Sequence, residues 1–227
     1  MDPSIEPLGD SAALVAWDAL DSDAASSAVQ TAAIHLDRCA IDGIHGIAPA
    51  FKSISVWYDC RILTWKEIAQ WLSDALRSVP SFEETTRQQV DIPVCYDAEF
   101  AFDLTTVAAA HDLNVQDVIQ LHSSAIYRVQ MIGFSPGFPY LAGLPRELHS
   151  PRRDTPRTRV PAGSVAIGGE QSGIYSHDTP GGWQIIGRTP VRLFDPQRNP
   201  PCLLQSGDVV RFIRIDRQQF ADYAELK

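Results

Sequence analysis

The chain has 227 residues, 44% hydrophobic and 21% charged, with a formal net charge of −9. Such a composition belongs to a globular protein with room for one large domain or two small ones. The charge is uneven: residues 1–90 carry 6 Lys/Arg against 13 Asp/Glu, and residues 91–227 carry 13 against 15, so no basic face invites nucleic acid. No run approaches the ~18 apolar residues of a membrane span. The acidic start MDPSIEPLGD lacks an apolar signal-peptide core, and the cytoplasm is the expected compartment. Cys39, Cys60, Cys95 and Cys202 are far apart with no CxxC spacing. Reduced thiols are therefore expected, rather than a metal site or a disulfide framework.

In chain order, Ser11–Trp17 reads as a strand following the Gly9-Asp10 turn. Ala24–Cys39 is Ala-rich, with apolar Ala28, Val29, Ala32, Ile34 and Leu36 at helical spacing and Asp23 placed to cap it. Gly43–Pro49 reads as a loop, and Ser53–Tyr58 alternates as a strand does. Thr64–Val79 opens with the capping-box pair Thr64 and Glu67 and carries one apolar stripe, with Pro80 as its stop. This β-α-β-α order predicts a small α/β sandwich over residues 1–85. The polar stretch 80–90 reads as a linker.

Val90–Tyr96 reads as a strand, Asp103–His111 and Val115–His122 as two short helices, the second capped by Asn114. Tyr127–Gly133, Ser164–Gly168, Gln184–Ile186, Val191–Phe194 and Val209–Ile215 read as further strands, and Arg217–Leu226 as a terminal helix. Short strands parted by turn signals predict a β-barrel or sandwich over 90–215, within a second domain of residues 86–227. The fold class expected is α+β.

Residues 131–195 hold ten of the 14 glycines among apolar and aromatic residues. Gly allows positive φ and close backbone approach, so this density predicts a rigid, loop-built surface of the kind that carries function. Gly133-Phe134-Ser135-Pro136-Gly137 matches a nucleophile elbow by letter alone. Pro136, Gly137 and Pro139 forbid the helix that an elbow needs after its Ser. Phe134, Phe138 and Tyr140 form either an aromatic wall of a pocket or subunit interface or a packed core loop, and Phe138, Tyr140 and Trp183 are the candidate walls of a pocket.

Five arginines (Arg146, Arg152, Arg153, Arg157, Arg159) crowd residues 146–159 against Glu147 and Asp154. They form either an anion site or a solvated loop. Arg157, Arg159 and Arg188 are the candidates for a carboxylate or phosphate. Gly163, Ser164, Gln171, Tyr175 and the Gly181-Gly182 backbone are expected to orient polar groups of a substrate at the same barrel end. His122, closing a helix, is a candidate acid/base or a residue stabilised by the helix dipole. His149 and His177 lie in loops and are possible ligands, but no partner spacing supports a metal.

Three blocks carry a family resemblance: HSSAIYRVQMIGFSPGFPYLAGLP, PRTRVPAGSVAIGGEQSGIYSHDTPGGWQIIGRTPVRLFDP and LLQSGDVVRFIRI. Together with PLGDSAALVAW and PAFKSISVWYD they resemble, over essentially the whole chain, a carboxyltransferase-type family. It comprises the B component of 5-oxoprolinase (PxpB), KipI and the smaller component of allophanate hydrolase. Ser135 stands where Thr or Leu is common, and His177-Asp178 falls in a variable loop. The resemblance implies an N-terminal α/β domain followed by a cyclophilin-like β-barrel, without the cyclophilin catalytic motif. It implies a larger homologous partner, PxpC-like, and a third component. The implied reaction opens 5-oxoproline, a lactam carboxylate, to glutamate with ATP. ATP would lie at or with the partner, since no phosphate loop is present. Alternatives within the family are a KipI-like inhibitor of a sensor histidine kinase and an allophanate or urea-amide hydrolase component.

Overall fold

The computed structural model describes residues 2–20, 22–79 and 88–225. Two compact units, 1–86 and 87–227, account for the chain. The first contains β1 (Ser4–Pro7), β2 (Ala12–Ala16), α1 (Ser22–Arg38), β3 (Ile44–Pro49), β4 (Ser53–Tyr58) and α2 (Trp65–Arg77). Its antiparallel sheet runs β1-β2-β4-β3. Period-2 alternation turns Ala13, Val15, Ile54, Val56 and Tyr58 to one face. There they pack on Ala25, Val29, Ala32 and Leu36 of α1 and Ile68, Leu72 and Ala75 of α2. The capping box of α2 forms as expected: Glu67 N–H donates to Thr64 Oγ1, and Thr64 N–H donates to the Glu67 carboxylate at 2.8 Å.

Two local expectations are corrected here. Residues 43–49, read as a loop, hold the edge strand β3; Ile44 and Ile47 pack against the core, and β4 supplies the backbone partners. The Gly and Pro that suggested a loop are tolerated because a bulge lies between Ile44 and Gly46 and Pro49 sits on an edge. Helix α1 begins at Ser22, so Asp23 lies in its first turn and is not the cap.

The second unit is a closed barrel. Its elements are β5 (Gln89–Cys95), α3 (Leu104–Ala110), α4 (Val115–Ser124), β6 (Ile126–Ile132), β7 (Pro139–Ala142), β8 (Arg157–Val160), β9 (Ser164–Gly168), β10 (Gln171–Ile174), β11 (Thr179–Gly181), β12 (Gln184–Arg188), β13 (Val209–Ile215) and α5 (Arg217–Glu225). Seven strands close in the order β10-β7-β6-β13-β5-β12-β9, and β8 with β11 forms a separate ribbon. The first and last strands pair in parallel from Val209↔Gln89 to Ile215↔Cys95. Of the expected linker 80–90, residues 80–87 lie outside the described residues, as does Leu226 of the expected terminal helix.

Val191–Phe194 is not a strand. The Val191 N–H donates to Thr189 Oγ1, and Phe194 makes only an isolated bridge to Cys202. Pro190, Pro196, Pro200 and Pro201 remove the donors that a longer ladder would need. Conversely β7, β8, β10 and β11 are strands where Gly and Pro suggested turns. Alternation along β9 and β12 builds two cores. Val165, Ile167 and Ile186 fill the barrel with Leu104, Val107, Val118 and Ile119 from the helices. Ala166 and Ile185 face outward into a smaller cluster with Phe138, Val160, Tyr175 and Trp183. The chain is an α+β protein with a cyclophilin-like barrel.

Candidate functional site

His122 sits inside the barrel and not in a cleft. Its side chain is fully buried, 4.5 Å from the Phe212 ring in a stacked geometry. Both ring nitrogens are committed. Nδ1 is 2.9 Å from Tyr96 Oη and Nε2 is 3.1 Å from Ser172 Oγ. Ser172 donates its one proton to the Ala166 carbonyl, so Nε2 carries the imidazole proton and Tyr96 donates to Nδ1. Burial pushes the His122 pKa down to about 3. An acid/base role for this residue is therefore corrected to a structural one: a sealed, neutral imidazole reaches no substrate.

The expected ring wall is also a core. Phe138, Tyr175 and Trp183 are buried, with Tyr140 half-buried beside them. Phe138 meets Tyr175 edge-on at 5.3 Å and Trp183 at 5.8 Å, the geometry aromatic quadrupoles favour. Gly168 is required here, because a Cβ would lie 2.7 Å from the Trp183 ring. A Cβ at Gly181 would overlap the Tyr175 hydroxyl, whereas Gly182 has room for one. Gln171 Nε2 donates to Gln130 Oε1 at 2.9 Å.

Arg157 faces inward. Its guanidinium grips Asp103 through two hydrogen bonds, and Arg153 adds a third at 3.0 Å. Asp103 also accepts the Ile185 N–H at 2.7 Å. This carboxylate precedes α3 yet caps nothing, since its oxygens are taken by the arginines of the 150–157 loop. Arg157 is thus a tie between loop and barrel.

A hollow of about 490 Å³ opens elsewhere on the same unit, within the usual size range of small-ligand sites. Of the sequence candidates it takes Gly163 and Arg188; Arg159 joins its rim through Asp178, at 2.8 Å from Nε to Oδ2. Gly163 has φ +83°, and a Cβ there would overlap the Thr189 carbonyl oxygen, so glycine is required. Its N–H donates to the Tyr175 carbonyl at 2.7 Å, which removes it as a substrate donor. Ser164 is buried beneath.

Arg188 is half-buried. Its Nε donates to the Ala162 carbonyl at 2.8 Å, and its guanidinium carbon lies 6.0 Å from the centre of the Phe100 ring. No carboxylate forms a salt bridge with it among the described residues, so its terminal nitrogens can receive an anion. Asp178 is held below the usual carboxylate range by the Ala162 N–H and by Arg159.

Sequence reasoning missed Ser176, Asp178, Thr189, Arg192, Phe194 and Phe220 and left His177 as a possible loop ligand; all of them line the hollow beside Arg188. His177-Asp178 was legible only as a variable loop, and Phe220 comes from α5, which no local motif links to residue 188. The single mouth expected to present arginines and rings together is two places: a buried ring cluster under the ribbon and an open, arginine-bearing hollow.

A profile of the carboxyltransferase domain, subdomain C and D, matches residues 3–204. The chain belongs to this family. It is 40% identical to the B component of 5-oxoprolinase from Bacillus subtilis over 232 residues, covering 97% of this chain and 96% of that protein. The corresponding 5-oxoprolinase component of Haemophilus influenzae is 56% identical over 126 residues, 56% of this chain and 59% of that protein. Among solved structures, TTHA0988 superposes with a TM-score of 0.81 at 35% identity, over 90% of this chain and 40% of that one. The chain thus spans about two fifths of TTHA0988.

Proposed function

We propose that this chain is the PxpB component of an ATP-dependent 5-oxoprolinase, acting with a larger homologous PxpC-like partner to phosphorylate 5-oxoproline for ring opening to glutamate. One observation carries the reading: 40% identity along 97% of the chain to a 5-oxoprolinase component, end to end with it. The hollow supports it chemically. 5-Oxoproline is a flat five-membered lactam with one carboxylate. Arg188, with Arg192 nearby, suits the carboxylate, and Phe194 and Phe220 suit the ring faces. In this reading ATP is the second substrate, held at or with the PxpC-like partner, and a third component completes hydrolysis. The four cysteines are unbridged, in keeping with a cytoplasmic enzyme. Residues 1–85 and 86–227 then act as an α/β domain and a barrel domain.

The test is reconstitution with the PxpC-like partner and measurement of ADP release. The chain alone should be silent, and the pair should hydrolyse ATP when 5-oxoproline is added. A folded, verified pair that ignores 5-oxoproline but responds to allophanate or urea would overturn the assignment in favour of the urea-type reaction.

A further inference from the structure

One wall of the hollow comes from outside the barrel strands and their loops. Helix α5 brings Phe220 to the lining. Among the described residues it is the one lining residue beyond position 204, where the match to the family profile stops. Local chemistry starts the helix: the Gln219 N–H donates to Asp216 Oδ1 at 2.8 Å, and the Asp216 N–H donates to Gln219 Oε1 at 2.9 Å, a reciprocal cap. Two side chains then tie it down. Arg217 Nε lies 3.0 Å from Glu99 Oε1, and the Phe220 ring stacks on Phe100 with centroids 4.4 Å and planes 27° apart. The ion pair is largely exposed, and such pairs hold little. The stack between two half-buried rings is the firmer tie.

The Phe100 ring also lies against Arg188, whose guanidinium carbon is 6.0 Å from its centre. One ring thus touches both the anion-binding arginine and the Phe220 wall, and it fixes the interval between them. A wall excludes a larger ligand only if it cannot step aside. A ring stacked on its neighbour has few rotamers to move into, so Phe220 is a stiff limit and not a flap.

We propose that Phe220 sets the size of the lactam that the hollow admits. The proposal rests on the 5-oxoprolinase reading, which places the substrate carboxylate on Arg188. Held there, a five-membered ring fills the interval to Phe220. A six-membered lactam carries one more methylene and meets the wall. One methylene in an apolar pocket changes kcat/KM by about 10- to 200-fold, enough to separate the two rings without any further contact. Arg188 then selects for the carboxylate, and Phe220 selects against bulk.

The test measures ADP release by the reconstituted pair with 5-oxoproline and with its ring-expanded homologue, 6-oxopiperidine-2-carboxylate. The unmodified pair should favour the smaller ring by about 10- to 200-fold in kcat/KM. Phe220→Ala should shrink that preference by about tenfold or more, with a gain on the larger ring and not only a loss on the smaller one. Phe220→Leu keeps an apolar contact on Phe100 and should fall between; it serves as the second variant should the first not fold. A helix that only steadies the barrel would lower both substrates together. An unchanged ratio in a folded variant would therefore overturn the proposal, as would an unmodified pair that takes both rings equally well. A verified pair that is silent with 5-oxoproline would instead overturn the 5-oxoprolinase reading, and the size limit with it.

Discussion

Arg157 closes on Asp103 through two parallel hydrogen bonds, Nη1 to Oδ2 at 2.9 Å and Nη2 to Oδ1 at 2.7 Å. The Asp103 side chain is only 4% exposed and the Arg157 side chain 23%, so this is an almost dry fork-to-carboxylate pair. It connects the start of α3 to the β8–β11 ribbon, which pairs with no strand of the barrel among the described residues. Removing the carboxylate would leave Arg153 and Arg157 half-buried without a counter-charge, along with an unpaired Ile185 N–H. Asp103→Ala should therefore cost about 3–5 kcal/mol, read as a lowered urea midpoint. A loss below about 1 kcal/mol, the scale of a surface pair, would show that the ribbon is held by its apolar cluster alone.

His122 predicts a pH dependence of stability. The folded protein holds it neutral down to about pH 3, whereas its unfolded value is 6.5. Below 6.5 the unfolded chain takes up a proton that the folded chain refuses, so stability rises with pH in this window. It is complete above about 6.5 and drains away toward 3, by at most about 1.4 kcal/mol per pH unit. Urea unfolding between pH 5 and 6.5 should show this slope, and His122→Gln should remove it while lowering stability above pH 6.5. An unchanged slope in the variant would mean that another group titrates.

Gly163→Ala should be damaging out of proportion to one methyl group. The position requires φ +83°, and the new Cβ would meet the Thr189 carbonyl oxygen. Strain of this kind costs about 1–3 kcal/mol. It would also push the 189–192 segment, which lines the hollow, so the thermal midpoint and the activity of the reconstituted pair should fall together. Gly182→Ala is the control, since its Cβ would make only ordinary contacts, the nearest at 3.5 Å.

Arg188→Met tests the anion site by itself. The apolar stem is kept and the charge is lost. KM for 5-oxoproline in the reconstituted pair should rise about 10- to 150-fold, the scale of one charge-assisted hydrogen bond, with the melting temperature nearly unchanged. A change under about twofold would remove Arg188 from the carboxylate site.

Much of the fold was legible because its signals are local. Thr64 with Glu67 and Asn114 at its helix start announced α2 and α4, and both caps form. Ser53–Tyr58, Ser164–Gly168 and Val209–Ile215 were readable residue for residue from alternation or apolar runs. The missed strands β7, β8, β10 and β11 lie where Gly and Pro are dense. There the residues that resemble turns are needed for another purpose: bare backbone at Gly173 of β10, where a Cβ would lie 2.8 Å from the Phe138 ring.

Family, mixed α+β class and the caps of α2 and α4 could all be read from the order of the residues, since each depends on neighbours along the chain. Which arginine is available could not. Arg157 and Arg188 look alike in a string of letters, and they differ because Asp103 comes from 54 residues away to neutralise one of them, while the other has no salt bridge among the described residues and lies against a carbonyl and a ring. Charge availability is a property of three-dimensional neighbours, and so is the protonation of histidine. Closing the barrel seals the His122 side chain inside, where burial keeps it neutral.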